Sequence, residues 1–525
     1  MNWLKSVVSN SPDTEASAAE SEAPLLECLW RARLFDRVSF HMPGHLGGRA
    51  WPEELRREWL TLDTTEIAAT DNLLAPSENG PVIQAERLAA RYWQAPGALF
   101  FAQGSTHGLQ CVLLYFVGKG GRLLLTGAVH KAVFHIAALL DIELVYLPSF
   151  SSVDNPTETP TAPVTHPMPR PASPELLEEH LRRDNEFGAF LCTSPDYYGT
   201  FAETEGFAEV LKRYGIPFLL DSAHGAHLEA YYRASGQPHT FEPTCMIMST
   251  HKTLPALTGG AIVLTNSLDH VRGLRRAADF FGSSSPSLMI ASSSDFARAY
   301  AEHEGVTQIH RLLPALRSFA EGLDPRYVVW PKRLPGALQD RDPLRLVIDV
   351  SDVGPGTYVE RALAEAGVVV EMSDLSRIVC IISLAAEPES LRVMQAELNR
   401  LAQEDSVLAT LRDLGLSTAE DSHPWLGLDK ALADRLVLTT KTRHVVPPST
   451  VKKKAQGYVK LEEAIAARLA LAADLVPYPP GVTLFFTGET LSSDDAELLR
   501  GLLACGLDIN GVSYQDGEAY ILCFV

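Results

Sequence analysis

The sequence predicts an α/β protein with a large domain built on a mainly parallel sheet, then a smaller α+β domain and a C-terminal α+β domain. Two observations carry this. From Pro81 to Leu220, helical patterns alternate with short runs that are apolar throughout, such as Leu123–Thr126 and Ile216–Leu220. Strands covered by helices on both faces read this way, whereas half-solvated strands alternate in polarity. Beyond residue 305 the order changes: strand-like Arg345–Val350, Val368–Met372 and Ile378–Ser383 mix with helical Thr357–Ala366 and Pro388–Gln403. The expected divisions are an N-terminal segment 1–35, a large domain 36–305, a small domain 306–420 and a C-terminal domain 421–525.

Within the chain, residues 10–24 are rich in Ser, Ala and Glu and read as a disordered lead-in. Amphipathic structure begins near Leu25–Phe35. Ala98–Ala102 is a strand and Leu109–Val117 a helix; His130 opens the helix after Leu123–Thr126. Ser151–Pro174 holds seven prolines and reads as a surface excursion. Helix Pro174–Arg183, strand Ala189–Thr193, helix Glu205–Tyr214 and strand Pro217–Leu220 resume the alternation. In the last domain, Glu462–Asp474 is read as a helix, and the Lys452–Lys454 triplet as a solvated face.

Composition excludes several classes. With 525 residues, of which 46% are hydrophobic, the chain can bury large cores in two or three domains. No apolar run approaches the roughly 18 residues of a membrane span. Met1–Ser9 lacks a basic-then-apolar signal layout, so a cytoplasmic protein is expected. A net charge of −20 argues against a nucleic-acid partner. Seven scattered cysteines, none in a C-x-x-C pair, read as reduced core thiols.

Three motifs carry chemistry. Lys252 lies in Met248–Gly260, after the apolar run Cys245–Met248 and before the strand-like Ala261–Leu264. A lysine at the margin of a buried sheet loses its ammonium solvation, which lowers its pKa and exposes a nucleophilic amine able to form a Schiff base. Thirty-one residues upstream, the strand Ile216–Leu220 ends in Asp221-Ser222-Ala223-His224-Gly225. Gly104-Ser105-Thr106-His107-Gly108 forms a third anchor, where small residues opening a helix present N–H groups to a phosphate. A strand-end carboxylate, a lysine after the next strand and a phosphate turn together suit pyridoxal phosphate: the carboxylate keeps the pyridine nitrogen protonated and the lysine holds the aldehyde. His41 and His45 flank Met-Pro-Gly, whose Pro43-Gly44 breaks the helix a metal pair would need, so no metal site is expected.

On these motifs, together with HMPGHLGG (41–48), LDTTEIAATDNLLAP (62–76), HKAVFH (130–135), SPDYYGT (194–200), STHKTLPALTGG (249–260) and SSSPSLMIASSSDFARAY (283–300), the chain resembles the bacterial ornithine/lysine/arginine decarboxylases. The likeness is to their shorter Bacillus-type group, of the aminotransferase-like, pyridoxal-phosphate fold type I. It implies a basic L-amino acid (arginine, lysine or ornithine) as substrate, the corresponding amine as product, and a homodimer with shared active sites, further assembly being left open. It implies that His130 stacks on the cofactor ring, with Ala223 against the opposite face and His224 nearby. It adds Ser249 and His251 beside Lys252, and places Ser284 and Ser285 at the neighbouring subunit's phosphate. Asp71, Asp196, Glu371 and Glu489 are its substrate-side candidates. The sequence departs from the family at Asn72, Leu74, Asp196, Ser222 and Gly282. Two other readings therefore stand beside decarboxylation: a different reaction of the same cofactor, such as an aminotransferase or lyase, and a non-catalytic regulatory paralogue.

Overall fold

The computed structural model describes residues 21–32, 63–64, 70–147, 170–237, 240–330, 341–403, 454–477, 482–515 and 518–525, with a few positions between 428 and 444. The HMPGH stretch, most of the acidic segment before Asp71, the proline-rich 151–169, Lys452, Lys453 and the turn at 478–481 lie outside the described residues.

In chain order, α1 (Pro24–Ala32) and α2 (Pro81–Tyr92) precede β1 (Gly97–Phe101) and α3 (Gly104–Phe116). Pro81 sits at the start of α2, where a missing N–H costs no helical bond. Then come β2 (Arg122–Thr126), α4 (Lys131–Leu140), β3 (Glu143–Tyr146), α5 (Pro174–Leu181), β4 (Ala189–Thr193) and α6 (Thr204–Tyr214). Ser173 caps α5 and Gly215, in the left-handed region, ends α6. β5 (Phe218–Asp221), α7 (Leu228–Ser235), β6 (Cys245–Ser249), the short α8 (Thr250–Thr253), β7 (Ala261–Thr265) and α9 (Leu268–Phe281) lead to α10 (Leu288–Glu321). Next are β8 (Val328–Trp330), β9 (Arg345–Asp349), α11 (Gly356–Glu365), β10 (Met372–Ser373), β11 (Arg377–Ile381) and α12 (Pro388–Gln403). The chain closes with β12 (Thr442–His444), β13 (Gln456–Lys460), α13 (Leu461–Ala466), β14 (Val476–Pro477), α14 (Ser493–Ala504), β15 (Ile509–Asn510), β16 (Val512–Gln515) and β17 (Glu518–Phe524).

These elements form two compact units. The first comprises residues 1–116, 217–310 and 383–385. Its strands run in the order β1-β7-β6-β5, with β5 and β6 parallel and β7 antiparallel to both β1 and β6. All residues of β1, β5, β6 and β7 are buried, which is why these strands are apolar without alternation. The second unit comprises 117–216, 311–382 and 386–525. There β4-β2-β3-β12 has parallel β4/β2 and β2/β3 pairs and an antiparallel β12, and β10-β11-β9-β8 and β13-β17-β16 are antiparallel sheets. In each unit three of the four large-sheet strands point the same way, so the mixed α/β class with a mainly parallel sheet and additional sheets is the one the sequence predicts. Among the described residues no helix is long and apolar enough to cross a membrane.

Three local expectations are corrected. The Gly104–Gly108 turn is itself the first turn of α3, so that helix starts at Gly104 and not at Leu109. Val368–Val370 are not a strand: Gly367 turns left-handed and the Val368 N–H returns to the Leu363 carbonyl, closing α11. The helix expected over Glu462–Asp474 stops at Ala466, because Arg468 adopts a positive φ and buried Leu471 bridges Cys523.

Candidate active site

The residues that converge belong to the first unit and sit at the carboxyl ends of β5 and β6. Asp221 closes β5, and register pairs it with Ile247 of β6. The Ser222 N–H donates to the Ile247 carbonyl at 2.9 Å, and the Ser249 N–H to the Ala223 carbonyl at 3.2 Å, so Asp221–Ala223 runs on beside β6 past the end of β5. Asp221 is buried, and the Ala223 N–H donates to its Oδ1 at 3.2 Å. Burial pushes this carboxyl above the usual carboxylate range, while the Lys252 charge and the Ala223 N–H pull it down. A carboxylate so placed is completed by a cationic partner.

Lys252 stands on α8, the single turn that follows β6. Its Nζ lies 3.0 Å from His224 Nε2. Several contacts hold that turn. The Thr250 N–H and His251 Nδ1 both donate to the Gly260 carbonyl, at 3.1 and 2.8 Å, and Thr250 Oγ1 meets Ser294 Oγ at 2.8 Å. The Leu254 N–H closes back on Thr250, and the Thr253 carbonyl accepts from the Leu384 N–H at 3.1 Å. His251, expected beside the cofactor, thus uses one ring nitrogen to pin the lysine turn to Gly260, immediately before β7.

The phosphate turn is joined to the same place. Ser249 Oγ donates to Ser105 Oγ at 2.8 Å. Gly104 has φ +79°, and its N–H donates to the Gly259 carbonyl at 2.7 Å. Only a glycine takes that backbone readily, and the space above it is open. The first amides of α3, flanked by the Ser105 and Thr106 side chains, form the anion-receptive end of a helix. A buried carboxylate, an amine coupled to it and a helix start lined with hydroxyls fit the ring nitrogen, aldehyde and phosphate of pyridoxal phosphate.

Other expected residues are placed as follows. His130, in the second unit, caps α4, its Nδ1 accepting the Ala132 N–H at 3.2 Å. Ser284 is exposed and Ser285 half-exposed, in the link between α9 and α10. Asp71 is committed to backbone: Oδ1 accepts from Asn72 and Ser77, and Oδ2 from Val82 in the first turn of α2. Asp196 Oδ1 takes the Tyr198 and Thr200 N–H groups of its own loop, and burial raises its carboxyl pKa against the opposing Thr200 N–H and the Arg341 charge. Glu371 accepts the Tyr197 hydroxyl at 2.9 Å; Glu489 accepts the Phe486 N–H and lies 3.4 Å from Arg435.

Sequence reasoning passed over the second serine run, Ser292–Ser294. Ser294 braces Thr250, and Ser293 Oγ accepts the Leu257 N–H at 3.0 Å, so these hydroxyls hold the lysine-bearing segment from α10. The signal was present, since small hydroxyl residues inside a long helix back-bond to their own turn and leave room for a close neighbour. Among the described residues no cluster suited to a metal ion occurs.

With this geometry in place, the sequence profile described as "Orn/Lys/Arg decarboxylase, major domain" matches residues 23–321. The chain belongs to the Orn/Lys/Arg decarboxylase family. That membership makes it a pyridoxal-phosphate-dependent decarboxylase by class, as the motifs lead one to expect. Among curated proteins it is 29% identical over 517 residues to YaaO of Bacillus subtilis, described as uncharacterized, with 96% of this chain and 98% of YaaO covered. It is 25% identical to the arginine decarboxylase of Bacillus anthracis, covering 94% and 95% of the two chains. Among solved structures, lysine decarboxylase A from Pseudomonas aeruginosa superposes with a TM-score of 0.73 at 19% identity, over 100% of this chain and 81% of that one. This last likeness shows a shared fold.

Proposed function

We propose that this decarboxylase acts on a basic L-amino acid, arginine, lysine or ornithine, and that Lys252 is the amine to which the cofactor aldehyde attaches. One observation carries the reading: Lys252 Nζ touches His224 beside the buried Asp221, at the carboxyl ends of two parallel strands. The parent likeness to arginine and lysine decarboxylases supports the substrate class.

Pyridoxal phosphate, when bound, supplies an electron-withdrawing pyridinium ring to the substrate Cα. Asp221 would hold the ring nitrogen in its protonated, electron-demanding form, since its buried carboxyl lacks water to screen such a charge pair. Gly104, Ser105 and Thr106 anchor the phosphate end with backbone amides and hydroxyls. Ala223, next to Asp221, would lie against the ring, and the resemblance adds His130 as a stacking residue. His224 would orient the Lys252 amine that holds the cofactor. Lys252 or His130 then delivers the proton that replaces the departing carboxylate at Cα. Asp71, Asp196, Glu371 and Glu489 are the candidates that the resemblance gives for the substrate's distal cation. By the same resemblance, Ser284 and Ser285 serve the partner subunit of a homodimer.

The deciding experiment combines borohydride reduction with peptide mapping and product analysis. The purified protein should be yellow, the label should fall on the peptide containing Lys252, and one of agmatine, cadaverine or putrescine should accumulate with its parent amino acid. A label on another lysine overturns the role of Lys252. A transamination product in place of an amine overturns the reaction.

A further inference from the structure

His107 belongs to the Gly104–Gly108 turn but has no role in the site described above. It is buried, on the first turn of α3, with its ring edge-on to Phe101 at 5.0 Å. Its Nε2 is 3.3 Å from the Ala278 carbonyl in the last turn of α9. A carbonyl only accepts, so Nε2 carries the proton, and burial keeps the imidazole neutral by lowering its pKa. The same carbonyl accepts the Gly282 N–H at 2.9 Å, so His107 joins the cap that ends α9 and starts the serine run.

Gly282 is fitted to that ring. Its φ of −83° is open to any residue, but an added Cβ would fall 2.6 Å from His107 Cε1 and 2.9 Å from the Ala278 oxygen. Glycine stands here for space and not for backbone freedom. One residue on, the Ser283 N–H donates to Gln103 Oε1 at 3.3 Å, and Ser283 Oγ accepts the Ser285 N–H at 3.1 Å. The serine run is therefore tied to the chain on both sides of Gly104–Thr106, directly by Gln103 before it and, through the Ala278 carbonyl that also takes the Gly282 N–H, by His107 after it.

We infer that His107 is a positioning residue: its Nε2–H, with the Gln103 carboxamide, fixes Ser283–Ser285 relative to the start of α3, so that the serine run offered to the partner's phosphate and the helix terminus that holds this subunit's own phosphate move as one rigid piece. The inference rests on the phosphate-side reading of Gly104–Thr106, but its mechanical part does not require the cofactor. It also explains the departure at Gly282, since a larger residue at that position and the His107 ring exclude one another.

The test is hydrogen exchange of the full-length protein, with and without pyridoxal phosphate, in a set of variants. In cofactor-free protein, His107→Ala should speed exchange across residues 282–290 by about tenfold or more, while β5 and β6 stay protected. His107→Gln, whose amide nitrogen falls near the place of Nε2, should stay within about threefold of the parent. His107→Asn, too short to reach Ala278, should behave as His107→Ala and replaces it where the alanine variant does not fold. Gly282→Ala should disturb the segment in the parent and add clearly less on top of His107→Ala, because the ring it strikes is gone and only the Ala278 oxygen still opposes the new Cβ. Cofactor release, followed by absorbance, should rank the variants in the same order.

Unchanged exchange in His107→Ala, equal loss in the Gln and Ala variants, or a Gly282→Ala effect indifferent to His107 overturns the inference. A parent protein that takes up no pyridoxal phosphate overturns the proposed function instead, and the exchange data still decide the clamp.

Discussion

Lys252 Nζ and His224 Nε2 lie 3.0 Å apart, joining the amine that follows β6 to the loop that follows β5. When the lysine is charged it has only protons to offer, and His224 then accepts at Nε2 with its own proton on Nδ1. A hydrogen bond to a charged group contributes about 1.5–3 kcal/mol. His224→Ala should therefore lower kcat/KM by about 10- to 100-fold while borohydride still labels Lys252. Steady-state rates beside label stoichiometry make the measurement, and a variant with parental kcat/KM would remove His224 from the site.

Asp221→Asn should keep the fold and lose about 100-fold or more in turnover, as expected when a preorganised charge is taken from a reacting centre. The amide retains the size of the side chain and can still accept the Ala223 N–H, so circular dichroism and melting should change little. Near-parental turnover with cofactor bound would show that Asp221 does not face the ring nitrogen.

Gly260→Ala tests the bracing of the lysine turn. The added Cβ would stand 2.5 Å from Ser294 Oγ and 2.9 Å from Thr250 Oγ1, at the contact between those hydroxyls. Overpacking of this kind costs about 1–3 kcal/mol. The variant should melt lower and bind cofactor more weakly, and Gly260→Ala with Ser294→Ala should recover much of the loss. Titration of cofactor absorbance gives the affinity; absence of recovery in the double variant would place the strain elsewhere.

Much of this arrangement was legible in the sequence. Asp221, Lys252 and Ser105 were placed together because each ends a short, wholly apolar strand or opens the helix after one, and that pattern survives without knowledge of contacts. The register that sets Ser249 against Ser105, and the bracing by Ser294 and Gly260, depend on segments far apart in the chain, which periodicity does not report. The end of α13 was misplaced because Ala466–Ala473 has helical composition, while the burial of Leu471 against β17 overrides propensity. Asp71 is a substrate-side candidate by resemblance alone; its three backbone donors appear only once the chain turns back to start α2.

Glu86 predicts a pH dependence of stability. Buried on α2, it meets Arg275 of α9 at 2.6 Å, and Arg275 also holds the Leu73 carbonyl. Burial raises its pKa from 4.5 to about 7, against the Arg275 charge and hydrogen bond and the Phe100 backbone, with Asp71 adding to the rise. A raised folded-state pKa means that protonation favours the folded protein. Its contribution is fully present below 4.5 and is lost as pH rises through about 7. Glu86→Gln should therefore flatten the fall in melting temperature across that window. Parallel melting curves for the two proteins would show that Glu86 is charged throughout.

The hydroxyl contact between Ser105 and Ser249 spans 144 residues of chain. The two sides of the cradle are thus synthesised far apart in time, and the closure entropy of the intervening chain must be met before they touch. Helices such as α3 form from neighbours, but the cradle exists only after β6 has docked against the earlier strands. On dilution from denaturant, cofactor capture should lag the return of helical signal. The nascent protein is likewise blind to its cofactor until the ribosome has passed Lys252.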